Sequence, residues 1–127
     1  MQTLITVLVV LIALQHLGFL YLEMFVWTKK LGRKVFHTTL EEAEKTKVLA
    51  ANQGLYNGFL AFGLLFGLFY VDVQAGVDIT LFFLFCVFLA GVYGGISVTK
   101  RIFFIQGLPA LVALVLLWLI GEYSILI

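Results

Sequence analysis

Residues 47–59 read "KVLAANQGLYNGF" and lie inside a longer apolar run, 47–70. The run is long enough for a helix across a bilayer, whose ~30 Å hydrocarbon core takes about 20 helical residues. Yet Asn52, Gln53, Tyr56 and Asn57 crowd together within it. A polar side chain in an apolar medium costs free energy unless it is hydrogen-bonded. The stretch therefore predicts a helix whose polar strip is turned away from lipid.

The rest of the chain agrees with a lipid setting. Its 127 residues are 63% hydrophobic and 12% charged, where a soluble domain is ~45–50% apolar and ~25% charged. Three further apolar runs, 3–27, 79–99 and 107–121, are each long enough, or nearly so, to cross once. Strand edges cannot be left open in lipid, and nothing alternates as a barrel does. The expected fold is all-α: a single domain, 1–127, built as a four-transmembrane-helix bundle. The first run lacks the basic start and small-residue cleavage pattern of a signal peptide and carries His16 and Glu23, so it reads as a mature helix. Cys86 is the single cysteine, which excludes an intrachain disulfide.

The net charge is only +1, but its distribution is informative. Lys29, Lys30, Arg33, Lys34, Lys45 and Lys47 flank or fill the first connection, and Lys100 and Arg101 stand at the third. The second connection holds Asp72 and Asp78 and no base. The positive-inside rule places the first and third connections in the cytoplasm and both termini outside. The basic run reads as an orientation signal rather than a nucleic-acid patch, so no nucleic-acid partner is expected.

Local signals set the helix ends. Thr39 and Glu42 match a capping box, and Glu41 and Lys45 are spaced as a helical ion pair, so the second helix is expected to start near position 40. Trp27 is an interfacial aromatic. Asp78 is the expected N-cap of the third helix. Pro109 is tolerated best in a first turn, so the fourth helix is expected from Leu108, with "KRIFFIQG" as a helix end and tight turn. His37 and the acids of "EEAEK" show no metal-ligand spacing, and no metal is expected.

At 100° per residue, Leu55, Phe59, Phe62, Phe66 and Phe69 form one apolar arc, the expected lipid face. Ala50, Gly54 and Gly58 form a second arc of small residues. Gly63 with Gly67, Gly91 with Gly95 and Ala90 with Gly94 repeat the small-xxx-small spacing, which predicts close packing of the second and third helices. Asn52, Gln53, Tyr56 and Asn57 occupy the third arc.

Further polar residues fall in the same cytoplasmic half. Glu23 is expected near the inner face, with His16 seven residues earlier on one helix face. Tyr93 and Ser97 share a face with Cys86 and Ala90, Arg101 stands at the helix end, and Gln106 follows. A salt bridge from Glu23 to Arg101 is one expectation. Ionisable residues within membrane helices are a functional hypothesis by default. The candidate ligand-binding set is His16, Glu23, Asn52, Gln53, Tyr56, Asn57, Tyr93, Ser97, Arg101 and Gln106. Glu23, Tyr56 and Tyr93 are the groups able to move protons.

The stretches "HLGFLYLEMFVW", "GRKVF", "TKVLAANQGLYNGFLAFGL", "CVFLAGVYGG" and "RIFFIQGLPALVAL" resemble a family of small bacterial four-helix membrane proteins. That family is known only as domain of unknown function thirteen hundred and four, and the resemblance implies a bacterial inner-membrane, multi-pass protein. The layout is also similar to the membrane-associated eicosanoid and glutathione metabolism proteins. Their second helix carries an N-x-x-E-N element, here Gln53, Tyr56 and Asn57. Their third helix ends on an Arg-Ile step, here Arg101 and Ile102. That likeness implies a glutathione-type cofactor between the subunits of a trimer. Tyr56 stands where the element has its glutamate, and Leu49 and Ala50 stand where arginines precede it. Small multidrug exporters offer a third comparison, in which Glu23 would be the proton-exchanging glutamate of the first helix.

Three readings follow. The first is a homo-oligomer, dimer or trimer, binding a small amphiphilic or lipid-derived ligand in a polar pocket of the inner leaflet, with or without transforming it. The second is a proton-coupled transporter using Glu23 with His16. The third is a structural or accessory subunit whose polar strip contacts a partner helix.

Overall fold

The computed structural model describes residues 2–125, with side chains through residue 120. The protein is all-helical, with no strand among the described residues. Helix α1 spans Gln2–Phe25, α2 Lys30–Phe36, α3 Leu40–Leu68, α4 Val73–Ser97 and α5 Lys100–Ile102. A π-helical segment, Phe103–Gly107, then leads into α6, Leu108–Ile125. Among the described residues, three stretches are long and apolar enough to cross a membrane: Gln2–Phe25, Val73–Ser97 and Lys100–Ile120. The 29-residue α3 has the length, but its charged first turns and the amides at 52, 53 and 57 dilute its hydropathy. The expected placement of the chain ends rests partly on Met1 and residues 126–127, outside the described residues.

The chain forms two compact units, one of Leu14–Ala61, the other of Met1–Ala13 with Phe62–Ile127. In the first, the end of α1, all of α2 and the start of α3 come together. The connection expected to be a loop contains α2, which is tied down at both ends. Gly32 is buried, and a Cβ there would strike the carbonyl of Val26, so only glycine allows this approach. Trp27 stacks at a tilt on Phe36, 4.8 Å between centroids, and its indole N–H donates to Thr46 Oγ1 at 3.1 Å. His37 closes α2 in the left-handed conformation, φ 51° and ψ 44°, its N–H donating to the Arg33 carbonyl. This capping position is usually filled by glycine or asparagine.

The capping box forms as expected. The Glu42 N–H donates to Thr39 Oγ1 at 3.2 Å, and the Thr39 N–H donates to Glu42 Oε2 at 3.0 Å. The Thr39 amide, then the Thr39 and Thr38 hydroxyls, hold the Glu42 carboxyl below its ordinary 4.5, with a smaller contribution from Lys45. A lowered carboxyl pKa stabilises the helix end above the unfolded value and loses that effect as pH falls through the folded one. The protection of the Thr39 amide, its exchange rate relative to that of an unstructured amide at the same pH, is therefore expected to fall as pH drops through the lowered Glu42 value. Carboxyl titration of Thr39→Val is expected to place Glu42 part of the way back to the ordinary range. An unshifted titration in that variant would count against the box.

In the second unit, glycines again set the close contacts. A Cβ on Gly63 would enter the Phe83 ring, and one on Gly67 would meet Thr80 Oγ1, so these residues do bring α3 onto α4. Gly91 faces Gly107, and a Cβ added to Gly94 would lie 2.7 Å from Ile102 Cγ2 and one added to Gly95 2.8 Å from Phe103 Cβ, which packs α4 against the chain after it. Asp72, not Asp78, caps α4, accepting from the Ala75 N–H at 2.7 Å. Asp78 lies within the helix, accepting from Gln74 Nε2 at 3.2 Å. The α3–α4 connection is thus shorter than expected.

The segment "KRIFFIQG" also departs from expectation, because it is helical. The turn falls at Val98 and Thr99, whose N–H groups both donate to the Gly94 carbonyl. Helical backbone then continues from Lys100 into α6. Pro109 lacks an N–H, and the π-helical segment just before it shifts the ladder, the Leu108 N–H donating to the Phe103 carbonyl. An open turn in an apolar medium would strand backbone donors, so a helix that absorbs the proline is favoured.

Candidate functional site

The arc of small residues on α3 decides where its amides go. A Cβ on Gly54 would lie 2.7 Å from Met24 Cγ, 3.0 Å from Glu23 Cβ and 3.2 Å from the Leu20 carbonyl oxygen. A Cβ on Gly58, one turn on, would lie 2.6 Å from Leu20 Cδ1. Gly54 and Gly58 therefore pack against α1, not against α4 as the repeated spacing had suggested. Backbone approach at Gly54 brings the residues beside it onto Glu23.

Gln53 and Asn57 are one helical turn apart and flank that contact. Gln53 Nε2 donates to Glu23 Oε1 at 2.8 Å, and Asn57 Nδ2 donates to Glu23 Oε2 at 2.7 Å. Each carboxylate oxygen thus receives one amide. Glu23 is 3% exposed and Asn57 9%. Both groups that donate to Glu23 here are neutral amides. Among the described residues the ion pairs are Lys45–Glu41 and Lys47–Glu44, both exposed on α3. A buried carboxylate needs its lone pairs met by donors. Two amides meet part of that need and leave acceptor capacity for a cation, a proton or a ligand donor.

His16 is fully buried on α1, its ring edge-on to Phe19 at 5.7 Å. Asn52 and Tyr56 do not join Glu23. Asn52 is exposed, and Tyr56 is 60% exposed with its ring 6.1 Å from Phe59. The reason is angular. The four polar residues spread over about 140° of helix, so one edge of the strip faces α1 while the other runs into the Leu55–Phe59 face. That face is exposed as expected, from Leu55 to Phe69.

The remaining candidates belong to the other unit. Tyr93 is 74% exposed, and Ser97 is exposed with its hydroxyl donating to the Tyr93 carbonyl at 2.7 Å. Arg101 is exposed, and Gln106 is half-buried. Gly54 was visible in the sequence only as one of many small residues; the signal for its role was that its i−1 and i+3 neighbours, Gln53 and Asn57, both carry amides.

A family model described as "Protein of unknown function (DUF1304)" matches residues 10–118, which include Glu23, Gln53 and Asn57. The chain is 34% identical over 117 residues to the uncharacterized protein YpaA of Lactococcus lactis subsp. lactis (strain IL1403). That alignment covers 91% of this chain and 97% of the relative. No solved structure matches.

Proposed function

Because this chain belongs to the DUF1304 family of proteins of unknown function, we propose its activity from the site itself: it binds the polar end of a small amphiphile at Glu23. In this reading the protein is a multi-pass protein of the bacterial inner membrane. The stretches α1, α3, α4 and Lys100–Ile125 cross it in turn, with both termini outside. The placement of all eight basic residues at the first and third connections supports that orientation. Glu23 lies two residues before the end of α1, which puts the site in the cytoplasmic half of the bilayer.

The observation that carries the proposal is the carboxylate held by Gln53 and Asn57, with no ion pair to it among the described residues. An acidic group dressed only by neutral amides selects a donor-bearing head, an ammonium above a hydroxyl, and disfavours a carboxylate or phosphate head. Gln53 is the exposed member of the cluster, and rotation of its side chain would free Glu23 Oε1 for a ligand donor.

The test uses the protein in nanodiscs and a long-chain primary alkylamine, with the matching alcohol and fatty acid as controls. The amine is expected to bind best, and Glu23→Gln is expected to weaken it about tenfold or more, as loss of one charge-assisted contact would. Equal binding of amine and fatty acid, or an unchanged Glu23→Gln, would sink the proposal. A transporter is the second reading, favoured by Glu23 being the sole acid of α1. It adds one expectation: amine-dependent proton flux in liposomes that disappears in Glu23→Gln.

A further inference from the structure

We infer that α2 is a recognition element for anionic lipid headgroups, lying along the membrane surface beside the end of α1. The inner side of this short helix is fixed by Gly32 under the Val26 carbonyl and by Phe36 on Trp27. Its outer side divides into two rows. Lys30 and Lys34 are exposed and one turn apart. Leu31 and Val35 form the adjacent row, 54% and 44% exposed. Lys29 precedes the helix, and Arg33 is oriented by its Nε donating to the Thr28 carbonyl at 3.1 Å.

The bases of α2 differ from those of α3. On α3, Lys45 and Lys47 are paired with Glu41 and Glu44 at 2.6 and 2.8 Å, while Glu42 is engaged by Thr38 and Thr39. Among the described residues no carboxylate pairs with Lys29, Lys30, Arg33 or Lys34. Four cations are thus concentrated within six residues, next to an exposed apolar row. A soluble polyanion would neutralise the cations and leave Leu31 and Val35 in water. A bilayer surface satisfies both rows: the apolar row sinks to the acyl boundary, and the lysine stems extend along it to the phosphates. Juxtamembrane bases are attracted to anionic lipid at ~1 kcal/mol each.

The proposal is tested with the intact protein in nanodiscs of mixed phosphatidylglycerol and phosphatidylcholine. Lipids retained on gentle release are counted by native mass spectrometry. The wild type is expected to retain phosphatidylglycerol preferentially, and Lys30→Gln with Lys34→Gln to lower that preference roughly tenfold. Leu31→Asn with Val35→Asn keeps every charge and is also expected to lower it. An unchanged ratio in either variant overturns the proposal. Should a variant fail to fold, the wild type alone decides: its preference must fall with rising salt. A salt-independent preference overturns the proposal, as does displacement of the lipid by inorganic phosphate, which would mark a free-phosphate site instead.

Discussion

Asn57→Leu is expected to destabilise the protein by about 2–3 kcal/mol, the loss of a hydrogen bond to a buried charged group. The side chain removed is 9% exposed and donates to Glu23 Oε2 at 2.7 Å. Leucine has similar bulk, so packing changes little and the carboxylate is left with the Gln53 amide alone. The informative measurement is a double-mutant cycle with Glu23→Leu, followed by reversible unfolding in bicelles. Glu23→Leu by itself strands the Asn57 amide. Together the two substitutions replace a polar contact by an apolar one of similar shape, which is nearly neutral in favourable cases. The double variant is therefore expected to be more stable than Asn57→Leu, with a coupling of at least about 1 kcal/mol. Gln53 is exposed and can turn to water, so it does not mask the result. Additive single effects would show that the contact contributes nothing to stability. The expected coupling exceeds the ~0.6 kcal/mol average for interhelical hydrogen bonds in membrane proteins because one partner here is a carboxylate.

The second large effect is expected at Gly91. A Cβ there would run into the Cα and amide nitrogen of Gly107, with the Gln106 carbonyl carbon at 3.2 Å. Those are backbone atoms of the π-helical segment and have no rotamer to change. Gly91→Ala must push α4 and that segment apart, at a cost of about 3 kcal/mol, the upper end of ordinary overpacking. Gly58→Ala is the control. Its Cβ would meet the Leu20 side chain alone, closest at Cδ1, the far end of a flexible side chain, at 2.6 Å. Rotation of Leu20 relieves that contact, and alanine's higher helix propensity offsets part of what remains. The expected change is under about 1 kcal/mol. Thermal unfolding of the two variants in the same detergent separates them. Equal loss would mean that the two small-residue faces are packed alike and that backbone contact at Gly91 is not the deciding feature.

These comparisons show why equivalent motifs diverge. Gly54–Gly58, Gly63–Gly67 and Gly91–Gly95 share one spacing, yet their neighbours are α1, α4 and the segment after α4. Spacing states that a helix has a thin face. It carries no record of which helix lies against that face. The same limit applies to the polar strip. Four polar residues share one arc of α3, but Asn57 is buried on Glu23 while Tyr56 is exposed beside Phe59. An arc of about 140° is wider than one helix contact, so its two edges have different surroundings.

Features decided within a few residues were open to reading directly. The apolar runs require a lipid-compatible, all-helical chain, since backbone groups in lipid must be satisfied within the segment. Thr39 and Glu42 meet because three residues along a helix are neighbours, and so do Glu41 and Lys45. Even at short range the reading failed once: Asp78 was expected to cap α4, and Asp72 does so because the preceding turn is shorter. Glu23, by contrast, takes its partners from 30 and 34 residues away. The sequence by itself determined an all-helical chain with stretches apolar enough to cross a membrane, its bases gathered in two short connections. Only the tertiary structure decided which of its polar residues meet, because Gly54 sets the approach of two helices and that approach selects Gln53 and Asn57.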